Sequence, residues 1–251
     1  MIDTHCHLNI EEFEEDYQKV ILNAKDAGVK KIIVIGIDPK SNQRAIELAE
    51  QYPFIYATVG IHPGVVDEFG IEGLRPLLKH EKVVALGEIG LDFYWRDDNK
   101  KRQIEIFNKQ LEIAKTLNIP VVIHTRNSFL EAYECVKPYK GQIKGVFHCF
   151  SSHLEDAKKA VDLGFYIGID GPVTFKNAKD IKEIAKHIPL DKILIETDSP
   201  YLSPHPFRGK RNEPMRLPFI AQAIADIKGI DVCEVIKQTT INANNLFNLG
   251  V

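Results

Sequence analysis

No run of about 18 apolar residues occurs anywhere in the chain, so no membrane-spanning helix is expected. A secretory leader is not expected either, because polar DTHCH already begins at residue 3, and the expectation is a cytoplasmic protein. The four cysteines, Cys6, Cys135, Cys149 and Cys233, stand far apart and form no C-x-x-C pair, which argues against a disulfide framework and for reduced thiols. Positive charge is not in surplus: 32 Lys and Arg against 35 Asp and Glu leave a net charge of -3. Extended binding along duplex nucleic acid is therefore disfavoured, and any phosphate recognition has to be local or helped by bound cations. No Pro/Gly/Ser-rich linker or composition break divides the 251 residues, so 1–251 reads as one domain.

What is present is a rhythm. Short β-branched runs recur at 2–7 (IDTHCH), 30–37 (KKIIVIGI), 54–63 (FIYATVGIHP), 82–92 (KVVALGEIGLD), 119–126 (IPVVIHTR), 143–150 (IKGVFHCF), 165–170 (FYIGID) and 192–200 (KILIETDSP). Between them, and after the last, lie amphipathic segments with apolar residues three and four apart, such as NQRAIELAEQY and LEDAKKAVDLG. Eight such alternations in a chain of this length predict an α/β fold, a single (β/α)8 TIM barrel with its site at the C-terminal mouth. An open doubly wound sheet is the competing architecture, but the G-x-G-x-x-G turn it would place after the first strand is missing. One connection is long: PYLSPHPFRGKRNEP, 200–214, follows the eighth strand and should lie on the mouth.

The strand ends carry the chemistry. His5 and His7 close the first strand, His62 the third, Glu88 the fourth, His124 the fifth, His148 the sixth and Asp198 the eighth. In a barrel these ends converge, so residues nearly the whole chain apart can share one site. Strand parity puts His5 and His7 on one face and Cys6 on the other, and by the same rule an inward His148 sends Cys149 toward the helices. One histidine at a strand end is ordinarily a hydrogen-bonded structural residue. Four of them with two carboxylates on one face point to metal, and they exceed what one tetrahedral catalytic zinc requires. A two-metal site with a bridging carboxylate uses them all. His80, His153 and His187 sit in helical contexts and read as surface residues, and Glu196 as either a support for a ligand histidine or a buried structural carboxylate.

The pieces DTHCHL, GIHP, GEIGLDFYW, PVVIHTR, HCFSS, ETDSPYL and RGKRNEP run in order from residue 3 to residue 214, and with them the chain resembles the TatD family of metal-dependent deoxyribonucleases, within the amidohydrolase-like hydrolases. That resemblance implies that His5, His7 and Asp198 hold one metal, His124 and His148 the second, and that Glu88 bridges them, where related hydrolases use a carboxylated lysine. It implies that His62 contacts substrate or a reacting oxygen. It also implies exonuclease action on single-stranded DNA or RNA ends, 3′ to 5′.

The expected reaction is hydrolysis of a phosphodiester by water activated between two divalent cations, zinc, magnesium or manganese, with Asp198 as general base and Glu88 and His62 completing the catalytic set. Arg208, Lys210 and Arg211 form a candidate phosphate clamp, Tyr94 and Trp95 a candidate stacking surface, and His205 a further candidate substrate contact. So few basic residues suit a short single strand or a 3′ end. Two other readings keep the metal site: a hydrolase of amides, lactones or the ester of aminoacyl-tRNA, and a non-catalytic metal-bearing scaffold. Oligomeric state is left open.

Overall fold

A computed structural model describes residues 1–250; Val251, the last residue of the expected domain, lies outside them. Eight parallel strands follow one another around a barrel in sequence order: β1 (Ile2–Cys6), β2 (Lys31–Ile35), β3 (Ile55–Val59), β4 (Val83–Asp92), β5 (Val121–Arg126), β6 (Gly145–Phe147), β7 (Tyr166–Ile169) and β8 (Ile193–Ile195). Around them lie α1 (Tyr17–Asp26), α2 (Pro39–Gln51), the single turn α3 (Leu74–Leu77), α4 (Lys100–Leu117), α5 (Phe129–Val136), α6 (Leu154–Asp162), α7 (Lys179–His187), α8 (Leu217–Lys228) and α9 (Val232–Phe247). This is the expected (β/α)8 architecture. No helix among the described residues is long and apolar enough to cross a membrane.

A strand buried on both faces must be apolar at every position, and β2 reads KIIVI for that reason. Its Ile32 and Val34 pack outward under the helices, while Ile33 and Ile35 fill the barrel interior. The interior cluster also takes Ile2, Ala85, Val122, Val146 and Leu194, and it is closed from below by Leu246, Phe247 and Leu249 at the end of α9. Lys31 Nζ and the Tyr56 hydroxyl donate to the Leu249 carbonyl at 2.9 and 2.5 Å, which fastens the chain end beneath β2 and β3.

Two departures from regular strand geometry place the site. In β1, Asp3 pairs with Ile32 and Cys6 with Val34, so three residues of β1 span two of β2. The extra residue reverses the alternation: Ile2 lies in the interior cluster, yet Cys6, of the same parity, packs under the helices. In β4, Leu86 to Ile89 spans Val121 to Ile123, a second bulge, and it falls where Gly87 and Glu88 stand. A side chain at Gly60 would come within 2.8 Å of the Gly87 carbonyl carbon, so glycine is what lets the end of β3 lie against this bulge.

The eighth strand is shorter than its sequence suggests, ending at Ile195 rather than near residue 200. From there the chain closes the barrel through separate contacts. Asp198 N donates to His5 O at 2.9 Å, and His7 N to Ser199 O at 2.8 Å. Buried Asp3 accepts from Thr197 N and Thr197 Oγ1 at 2.9 and 2.6 Å. The seam of the barrel is thus also the link that sets Asp198 beside His5 and His7.

Candidate metal centre

The four ring nitrogens and two carboxylates expected at the mouth do converge. Glu88 is at the middle and turns its two oxygens to different neighbours. His5 Nε2 and His7 Nε2 lie 3.5 and 3.7 Å from Glu88 Oε2. The same two nitrogens are 3.6 and 3.4 Å from Asp198 Oδ1, and 3.2 Å from each other. A tetrahedron with arms of about 2.0–2.2 Å, the range for zinc with imidazole and carboxylate ligands, has edges of roughly 3.3–3.6 Å. These residues therefore fit a small divalent cation, and two imidazole nitrogens facing one another need one, or a proton, between them.

On the other side, His124 Nδ1 and His148 Nε2 lie 2.9 and 2.7 Å from Glu88 Oε1 and 3.2 Å apart. These three donors could hold a second cation with positions to spare. His124 presents Nδ1 rather than Nε2 because its Nε2 lies 3.1 Å from Asp92 Oδ2. A carboxylate behind a ligand histidine fixes both tautomer and ring orientation. Asp92 is a site residue the sequence reading passed over. Its signal was available: it shares parity with Glu88 along GEIGLD, four positions on.

The charges sort accordingly. Burial opposes ionisation of Glu88, but the His148 imidazole and hydrogen bonds from His124 and His148 outweigh it and hold its carboxyl well below the usual range. Burial also works against Asp198, and His7 and His5 still keep it low. Against the same burial, His148 is pushed well above the ordinary imidazole value by Glu88 and Glu196, His7 is raised by Asp198 and Glu88, and His124 by Asp92 and Glu88. His5 is lowered by burial and by the adjacent His148. The carboxylates thus favour their anionic form and His148, His7 and His124 their protonated form, each stabilised by the other.

His62 stands apart. Burial lowers it to about 3, so it is neutral at any ordinary pH. Its Nδ1 accepts from Gly64 N at 3.0 Å, which puts the proton on Nε2, 3.5 Å from Glu88 Oε1. His62 therefore offers a donor at the edge of the cluster, and its nearness to Glu88 and His124 is that of a neighbour with its lone pair turned away.

Other expectations resolve as follows. Cys6 is fully buried under the helices, as parity required. Cys149 is not: its backbone has φ 42°, in the left-handed region, and that turn brings Sγ to 3.3 Å from Asp170 Oδ2 instead of into the helical layer. Burial first, then Asp170, Asp198 and Glu196, push this thiol well above its usual value, and burial with Asp198 and Glu196 does the same to Asp170. Asp198 itself has φ 52°, a conformation Asp tolerates better than most residues. Glu196 accepts from Cys149 N at 2.6 Å and Thr4 Oγ1 at 3.3 Å, while His148 Nδ1 stays 3.7 Å away, beyond hydrogen-bond reach. Its hydrogen bonds are structural while its charge still acts on His148, so both readings hold in part, and Gly168 makes room for it, since a Cβ there would lie 2.6 Å from Glu196 Oε1.

The basic loop does not act as a unit. Arg211 is taken up by Asp16 at 2.6 and 2.9 Å, by Glu213 at 3.3 Å and by the Glu12 carbonyl at 2.7 Å, over the Phe13 ring. This is a correction: Arg211 fastens the loop to the start of α1 and is not free for a phosphate. Arg208, over the Phe175 ring, and Lys210 are exposed. His205 is exposed too, and only its backbone N is engaged, by Thr174 Oγ1 at 2.8 Å. Tyr94 and Trp95 are 54% and 69% exposed at the mouth end of β4. Arg126, which the sequence reading did not single out, lies over both rings.

A family model described as TatD related DNase matches residues 2–248. The "uncharacterized metal-dependent hydrolase YabD" of Bacillus subtilis is 43% identical over 254 residues, covering 100% of each chain. The "3'-5' ssDNA/RNA exonuclease TatD" of Erwinia tasmaniensis is 35% identical over 259 residues, covering 99% of this chain and 100% of that one. Among solved structures, that of the TatD homologue YjjV from Escherichia coli superposes with a TM-score of 0.94 at 32% identity, covering 99% of this chain and 98% of the other.

Proposed function

The chain belongs to the TatD-related DNase family and is a metal-dependent hydrolase, and we infer that the bond it cleaves is a phosphodiester at the 3′ end of an unpaired nucleic-acid strand. The observation that carries this reading is the division of Glu88, Oε2 toward His5 and His7 and Oε1 toward His124 and His148. One carboxylate between two donor sets suits a pair of divalent cations, zinc, magnesium or manganese, with His5, His7 and Asp198 on one side and His124 and His148 on the other. When bound, such cations lower the pKa of water and withdraw charge from phosphoryl oxygens. The relative named as a 3′-5′ exonuclease on single-stranded DNA and RNA supports the choice of substrate.

Exposure decides which residues meet that substrate. The side chains of His5, Glu88 and His148 are 0%, 4% and 3% exposed, whereas those of Asp198, His124 and His62 are 12%, 18% and 20% exposed. Substrate and water therefore arrive along the Asp198, His62 and His124 edge. Asp198, held anionic, accepts the proton of the attacking water there. His62, neutral with its proton on Nε2, donates to a substrate oxygen as charge builds on it. Glu88 stays below, ordering the imidazoles. Hydrolysis of an amide or lactone would use the same centre but would leave the cationic Arg126, Arg208 and Lys210 at the rim without an anion to meet, whereas an aminoacyl-tRNA ester would supply phosphates and is told apart by which bond is cut.

The test uses metal-stripped protein and single-stranded oligonucleotides labelled at the 5′ or the 3′ end, with zinc, magnesium or manganese returned singly. At least one metal should restore cleavage, with a descending ladder from the 5′ label and immediate release of the 3′-labelled nucleotide. Hydrolysis of amide or ester substrates by the same preparations, with both oligonucleotides left intact under every metal, would reject the phosphodiester assignment.

A further inference from the structure

The aromatic turn after β4 is costly as it stands. Tyr94 and Trp95, at 54% and 69% exposure, leave most of two large rings in water. Their centroids are 4.9 Å apart and the rings meet edge to face at 86°. Over them lies the Arg126 guanidinium, 4.1 Å from the Tyr94 centroid and 5.2 Å from that of Trp95. Arg44, Arg96, Arg102 and Arg211 each pair with a carboxylate, whereas Arg126 makes no ion pair among the described residues. Its N–H edge is available to an anion, and the rings beside it to a planar, unpaired group.

The turn is also joined to the metal donors. Asp92 accepts from Tyr94 N and Trp95 N through Oδ1, at 3.0 and 3.1 Å, while its Oδ2 meets His124 Nε2 at 3.1 Å. Arg126 stands two residues beyond His124 on β5, opposite Asp92 in the strand register, and its carbonyl accepts from Phe93 N at 2.9 Å. One carboxylate and one strand end thus fix the rings, the guanidinium and a metal-donor histidine in a single frame.

The geometry points to a nucleotide subsite: the base next to the scissile linkage stacks on Trp95 and Tyr94, its phosphate is taken by Arg126, and Asp92 is the positioning residue that holds this subsite in register with His124. The assignment rests on the phosphodiester reading above and gives its preference for an unpaired end a physical cause, since these rings can stack only with an unstacked base, which a duplex interior cannot supply. An aromatic platform beside a cation binds any base, because every base has a π face, and it discriminates by strandedness instead of sequence.

Trp95 is the only tryptophan in the chain, so its emission reports on this place alone. Full-length Asp198→Asn protein, loaded with the metal that supports cleavage or with zinc if none does, is titrated with an oligothymidylate and with a duplex of equal length. The single strand should quench Trp95 emission and the duplex should do so much more weakly. Arg126→Ala should weaken the single-strand titration about tenfold, and Arg126→Lys should recover less than half of that loss, because a lysine restores charge but not the stacked plane. In the otherwise wild-type enzyme, Arg126→Ala should raise KM with kcat little changed, whereas Asp92→Asn should lower kcat and shift the Trp95 emission of the free protein. If the enzyme cleaves single strands and Trp95 emission is unmoved by them, or the Arg126 variants bind as tightly as the parent, the subsite is wrong and the phosphodiester reading stands. If no phosphodiester is cleaved but single strands quench Trp95, the subsite stands and the reaction is reassigned. Neither cleavage nor quenching removes both.

Discussion

At the floor of the barrel Ile2, Ile33, Ala85, Val122 and Leu194 meet Leu246 and Phe247 from the last helix, with Tyr56 and Tyr166 only at the margin of this apolar cluster. A few residues further along the same strands, at the mouth, His5, His7, Glu88, His148, Asp170, Glu196 and Asp198 are all buried as well, none more than 9% exposed over the whole residue. Both regions are buried and differ in how their burial balances. At the floor, each group removed from water stabilises the fold. At the mouth, each charge removed from water is a cost, offset only by the charge beside it. Stability and chemistry have thus been separated along the barrel axis, over a distance of two or three residues per strand.

The sharpest way to break that comparison is one substitution at each end. Asp198→Asn should lower kcat by roughly 10²–10⁴-fold, the range for loss of a general base. Its effect on the unfolding free energy should be the smaller of the two, since His7 can give up its proton once its partner is neutral. Phe247→Ala should destabilise by about 3–5 kcal/mol while the folded fraction keeps its turnover. Urea unfolding and active-site-normalised kinetics on both variants decide the matter. Loss of turnover in folded Phe247→Ala protein, or a greater destabilisation from Asp198→Asn than from Phe247→Ala, would show that the two regions are not separable.

The second difference is pH. The aliphatic side chains of the floor carry no ionisable group, so the acid-range pH dependence of the barrel interior belongs to the mouth and its seam. Asp3 is raised from 3.8 to about 7 by burial, partly countered by its hydrogen bonds from Thr197. Its folded form holds a proton that the unfolded chain has released, so its contribution to stability is complete below about pH 4 and is lost as the pH rises to about 7. In metal-free protein, Asp3→Asn should therefore gain on the wild type steadily across that interval and hold a constant difference above it. Chemical unfolding at pH 4.5, 6 and 8 measures the difference. A gap that does not change with pH would mean that Asp3 is ionised in the fold.

How much of this could be read in the sequence follows from what periodicity encodes. Parity placed His5 and His7 together with Cys6 behind them, as the structure has them; carried back across the shift between Asp3 and Cys6 to Ile2, the same rule fails, since no residue type announces the extra one. The barrel and the convergence of His124, His148, Glu88 and Asp198 were legible because runs of Val and Ile mark strands and each run ends on a polar residue. Cys149 was misplaced because a left-handed φ reverses direction without leaving a signature in a non-glycine residue. Arg211 was misjudged because its neighbours in sequence are basic while its partner in space, Asp16, is nearly 200 residues away. Asp92 and Arg126 went unread for a simpler reason. Parity with Glu88 turned Asp92 toward the site, but its partner, like that of Arg126, is found only between strands, where β4 and β5 bring one carboxylate to a ring nitrogen and one guanidinium to a pair of rings.

The smallest expected effect concerns the rim, where the mouth passes into solvent. Arg208 and Lys210 are exposed and have no carboxylate partner within 4 Å among the described residues, in contrast to Arg211 with its bonds to Asp16 and Glu213. Charges of this kind act on a polyanion through the solvent, over a Debye length of about 8 Å at physiological salt. Arg208→Ala with Lys210→Ala should therefore raise KM for an oligonucleotide only a few-fold at low salt, leave kcat unchanged, and become indistinguishable from wild type at about 0.5 M salt, where screening falls inside their reach. Arg211→Ala should do the reverse. It should leave KM in place and lower stability by on the order of 1 kcal/mol or less, since its ion pairs are partly exposed. Kinetics at two salt concentrations beside an unfolding curve separate these outcomes. A salt-resistant loss of kcat in the double variant would mean that the loop reaches the reacting phosphate itself, and the boundary between mouth and rim would then have to be drawn further out.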